Sequence, residues 1–130
     1  MRTRISLIAV GALWFIWIGI EDQSTLFVLL MAACLVLVLA GVIAERLFHR
    51  MPGSKTRRAV WFWLIGLGAG LLVAPIAIVL MTVKISLHHH AVPDFSPAEV
   101  INVLHSTPAW VLGALLLSSA AALYDRLRFV

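Results

Sequence analysis

Four apolar stretches, at residues 5–20, 25–44, 59–83 and 108–123, constrain this chain more than anything else in it. A helix rises about 1.5 Å per residue and a bilayer's hydrocarbon core is roughly 30 Å thick, so about 20 apolar residues cross it. Residues 25–44, TLFVLLMAACLVLVLAGVIA, do so without a charged side chain. Residues 59–83 exceed the requirement, which implies tilt or projection beyond the lipid. The first stretch is short, and Ser6 with the uncharged residues 23–25 extends it. Its flanking Arg2 and Arg4 also suit a secretory signal, but Ile18 and Ile20 stand where cleavage needs small side chains, so it reads as a retained helix.

Composition closes off the other classes. With 62% hydrophobic residues, 12% charged and a mean hydropathy of +1.04, the chain has too little polar surface to dress a soluble globule. Its net charge of +4 is not a nucleic-acid footprint, because the bases flank apolar helices and form no stripe interleaved with aromatics.

The bases instead sort by side. Arg2 and Arg4 precede the first stretch, Arg46, Arg50, Lys55, Arg57 and Arg58 join the second and third, and Arg126 and Arg128 follow the fourth. The alternate loops carry only Lys84. Acids lean the other way: Glu21, Asp22, Asp94 and Glu99 share the side of Lys84, while Glu45 and Asp125 join the nine bases, giving +7 on one face and −3 on the other. The positive-inside rule then places both termini in the cytoplasm.

The expected fold is therefore all-α and integral to the membrane, a single transmembrane domain over residues 1–130. Four transmembrane helices over about 5–23, 25–45, 59–85 and 108–125 form an antiparallel bundle, N-in and C-in, in the plasma (inner) membrane. A short amphipathic surface helix at about 97–105 lies outside, between helices three and four. Ser96-Pro97-Ala98-Glu99 spells a capping box with proline at the first helical position, and Thr107-Pro108 repeats the cap-then-proline signal to open the fourth helix.

Within this frame a few residues stand out. Gly66, Gly70 and Ala74 recur every fourth residue, so they share a face on which another helix can approach closely, and Gly68 opens a second face. Pro75 removes a backbone donor and crowds the Leu71 carbonyl, which predicts a kink. The inner loop ERLFHRMPGSKTRR turns at Pro52-Gly53, and Arg46, Arg50, Lys55, Arg57 and Arg58 are candidates for anionic-lipid contact as well as for setting topology. Trp14, Trp17, Trp61, Trp63 and Trp110 fall near the helix ends as an aromatic belt.

Candidate chemistry concentrates outside. Consecutive histidines on a helix point about 100° apart, but in an extended segment His88 and His90 project to one side, where His105 or Asp94 completes a ligand set suited to Zn or Cu. A polar interfacial cap is the plainer account of the same residues. The apolar stretches hold no acid, base or histidine, only Ser6, Cys34, Thr82, Ser118 and Ser119 within or near them. Proton-coupled carriers need ionisable groups at depth. The size and helix count resemble small multidrug transporters, but their membrane-embedded glutamate has no counterpart here. Paired cysteines and intrahelical haem histidines are missing too.

These observations lead to the expectation of a non-catalytic small polytopic subunit, or an assembly or stabilising factor, of a larger membrane complex. It is not an enzyme, needs no cofactor and contacts lipid and other membrane-protein subunits but no nucleic acid. The alternative is an autonomous small transporter built on Pro75, or a metal- or redox-binding protein built on the exterior histidines.

Overall fold

The computed structural model describes residues 8–9, 11–13, 16, 24–50, 55–88 and 95–127. Its elements are α1 (Thr25–Arg50), α2 (Lys55–His88), α3 (Pro97–His105) and α4 (Thr107–Leu127), with no strand among the described residues. Among the described residues, three apolar helices are long enough to cross a membrane: Thr25–His49, Thr56–Leu87 and Pro97–Leu127. The protein is thus a multi-pass membrane protein whose helices suit a lipid bilayer. Residues 8–9, 11–13 and 16 of the first apolar stretch are helical. The remainder of that stretch, with Trp14 and Trp17, lies outside the described residues.

Lipid offers a backbone no hydrogen-bond partner, so each span must satisfy its own peptide groups, and a helix does this within one segment. Side-chain hydroxyls follow the same logic. Thr82 donates to the Ile78 carbonyl at 2.9 Å, Ser86 to Thr82 at 2.8 Å and Ser119 to Leu115 at 2.7 Å. Each polar group is absorbed by its own helix, one turn back.

The central element is α2, with α1 and α4 packed on either side of it and hardly meeting each other. Its length of 34 residues corresponds to about 51 Å, well beyond the hydrocarbon core, and extends past both expected ends. On α1, Val28, Ala32 and Val36 are buried at four-residue spacing, while Leu26, Leu30, Leu37 and Ile43 stay exposed on the remaining faces. Being apolar all round is what a lipid-facing helix requires. On α2, Ala69, Val73 and Ala77 form one buried row and Gly66, Gly70 and Ala74 an adjacent one.

The short helix α3 has the expected bounds but runs almost directly into α4. Its capping box is formed: the Ser96 N–H donates to Glu99 Oε2 at 2.6 Å, and the Glu99 N–H donates to Ser96 Oγ at 3.3 Å. At its far end, however, Ser106 adopts φ −74° and ψ −12°, and its carbonyl accepts from the N–H groups of Ala109 and Trp110. Ser106 rather than Thr107 therefore opens α4, and one residue in right-handed helical geometry links α3 to α4 without reversing the chain. Pro108 has no N–H for the Leu104 carbonyl, and the Thr107 hydroxyl fills that place at 2.7 Å.

Candidate functional site

The two ends of the bundle are built differently. At the end that carries α3, this helix folds against α1 and α2, and Phe95 and Val103 join Val28 and Met81 in the buried core. The Thr25 hydroxyl donates to Glu99 Oε1 at 3.3 Å, so the carboxylate that closes the α3 cap also holds α3 to the first turn of α1. Near the end of α2 lies Lys84, 1% exposed, the buried charged side chain among the described residues. It continues the inward face of Ala77, Leu80 and Met81, at seven-, four- and three-residue spacings.

Lys84 lies where the sequence puts it, just beyond the last apolar residue of its stretch, and there reads as an interfacial charge. Because α2 remains helical to His88, however, the residue keeps the inward face of that helix and its side chain is buried within the protein.

The proposed metal ligands are only partly placed. His90 and Asp94 lie outside the described residues, His88 ends α2, and His105 ends α3 with its side chain exposed. Among the described residues no three potential ligands gather.

At the opposite end, where α1 finishes and α2 begins, the basic residues divide. Arg46 and Arg57 are exposed, Arg50 ends α1 and Lys55 begins α2. Arg58 differs: its guanidinium meets Asp125 Oδ1 at 3.0 Å and sits 5.1 Å from the centre of the Phe48 ring, which itself lies 4.6 Å from Phe62. This cluster joins α1, α2 and α4. Arg58 is thus a structural cation that joins three helices. Sequence reasoning counted Asp125 only as one of two inner acids, although an acid in the last turn of one helix and a base in the first turn of its antiparallel neighbour is the signal for such a pair.

Between the ends, the small-residue strip faces the chain's own last helix. A methyl group at Gly70 would stand 2.5 Å from the Val111 Cα and 3.0 Å from the Trp110 carbonyl oxygen. One at Gly66 would run into the Ser118 side chain and come within 3.0 Å of the Ala114 carbonyl oxygen. As numbering rises along α2 it falls along α4, which makes the pair antiparallel. The strip is filled from within the molecule and is not available to a partner. Gly68 turns instead toward α1, lining a crevice with Ala40 and Leu72. Pro75 is exposed, and α2 is helical on both sides of it, so no unwound carbonyl cluster is offered to a solute there.

Between α1 and α4, above Ala69 and Val73 of α2, a cleft of about 200 Å³ is walled by Val36, Leu37, Trp110 and Leu117, with Gly113 facing empty space. No protein-family model matches the chain, and no curated protein or solved structure is similar to it, so the geometry itself carries the functional reading.

Proposed function

We propose that the chain is a non-catalytic subunit, or an assembly or stabilising factor, of a larger complex in the plasma membrane, with both termini in the cytoplasm. The observation that carries this reading is the unused surface of the last span. Only 6% of its most apolar window is buried, against 44% for α2, and beside it runs the cleft with Gly113 at its edge. A helix presented so fully, next to a small-residue notch, suits close approach by a second helix.

Gly113→Leu tests this. A Cβ at Gly113 meets nothing within 4 Å, so a larger side chain has room to extend into the cleft, where it would exclude a partner helix. Native mass spectrometry of the wild-type protein in mild detergent should show a second membrane protein at fixed stoichiometry, and the variant should lose it at unchanged thermal stability. Wild-type protein recovered alone, or a partner retained in full by the variant, contradicts the proposal.

A second reading, an autonomous transporter or a metal- or redox-binding protein with its site on the exterior face, is favoured by the enclosed Lys84. An ionisable side chain within a membrane protein marks function by default. Uptake of a solute by vesicles containing only this chain, abolished in Lys84→Met, would decide for it.

A further inference from the structure

The inner mouth between α2 and α4 holds a crevice of about 310 Å³ lined by Thr56, Ala59, Val60, Trp63, Leu64 and Arg126. Its two polar members stand at the water edge, Thr56 in the first turn of α2 and Arg126 in the last turn of α4. Its apolar members run one to two turns deeper, and Val60, Trp63 and Leu64 are each about half exposed. The positive end of the α2 dipole adds to the charge at the rim. Asp125, the acid nearest in sequence to Arg126, is already engaged by Arg58 and does not neutralise it.

We propose that this crevice binds one anionic phospholipid. The phosphate sits on the Arg126 guanidinium and the Thr56 hydroxyl, and an acyl chain runs along Val60, Trp63 and Leu64. A guanidinium receives phosphate oxygens through paired N–H groups, and an interfacial tryptophan spans the step from headgroup to hydrocarbon. Charge at one end and an apolar trough at the other match a lipid and not a small soluble anion, which would leave the trough empty. This site is distinct from diffuse attraction at the 46–58 loop, because its cation comes from α4. It holds whether or not the chain joins a complex.

The test uses the full chain in phosphatidylcholine vesicles containing either bromine-labelled phosphatidylglycerol or bromine-labelled phosphatidylcholine at equal mole fraction. The Trp63 contribution is read as the fluorescence difference from Trp63→Phe. Phosphatidylglycerol should quench Trp63 with an affinity about fivefold above phosphatidylcholine, the worth of one basic residue at a membrane surface. Arg126→Gln should remove the preference, Arg126→Lys should keep most of it, and Arg46→Gln should leave it unchanged. Equal quenching by the two lipids, or a preference that survives Arg126→Gln, overturns the proposal. Loss of the preference on adding inorganic phosphate also overturns it, since the crevice would then take the free anion.

Discussion

At Gly70 a single hydrogen in place of a methyl group sets how close two helices come. The atoms that a methyl would meet belong to the α4 backbone, which cannot rotate aside; at Gly66 the Ser118 hydroxyl can turn away, but the Ser118 Cβ at 2.7 Å and the Ala114 carbonyl oxygen at 3.0 Å cannot. Gly70→Ala and Gly66→Ala should therefore each cost about 1–3 kcal/mol of overpacking. Gly41→Ala, whose methyl meets nothing within 4 Å, should be neutral or slightly stabilising. Denaturant titration of the three variants in detergent, followed by circular dichroism, checks the order; a Gly70→Ala protein as stable as Gly41→Ala contradicts the packing described. The four-residue spacing of Gly66, Gly70 and Ala74 was legible in the sequence as a helix-packing face. That α4 fills it was not, because spacing along one helix says nothing about which helix arrives. Lys84 escaped the sequence for a related reason: its position fixes the helix face it occupies, but not what packs against that face.

Among the elements, the junction of α3 and α4 shows how a proline is accommodated in a near-continuous helix. Pro108 leaves the Leu104 carbonyl without its usual donor, and the Thr107 hydroxyl supplies one from the preceding residue. Thr107→Ala should thus cost about 1 kcal/mol, the net worth of one hydrogen bond. In a Pro108→Ala background, where a backbone N–H is restored, the same substitution should cost little. A double-mutant cycle on thermal stability reads the difference directly, and equal costs in both backgrounds would show that the hydroxyl does not serve the Leu104 carbonyl. The capping box at Ser96 and Glu99 was legible because it is a local pattern with a local result. The same Ser/Thr-Pro pattern at Thr107 misled: with Ser106 already in helical geometry, the threonine side chain turns back to the preceding helix and does not cap the next. For Pro75 the backbone donor is missing too, yet its ring faces outward and α2 continues through it.

For the whole molecule, the apolar runs and the sorting of bases specify a multi-pass helical protein, because hydrocarbon thickness and charge transfer act on length and composition alone. Packing adds what those cannot express: α2 as the shared partner of α1 and α4, an ion pair of Arg58 with Asp125 at one end, and α3 folded onto the bundle with a buried Lys84 at the other. The functional proposals and the lipid crevice place these two ends on opposite faces of the membrane, with the Arg58 end and both termini in the cytoplasm. In a Cys34→Ala background, single cysteines introduced at Ser96, Thr3 and Val130 can be tested in intact cells with a membrane-impermeant thiol reagent. The account predicts that the cysteine at 96 is labelled from outside and that those at 3 and 130 react only after permeabilisation. Labelling of 3 and 130 from opposite faces, or of 96 only from the cytoplasm, would contradict it.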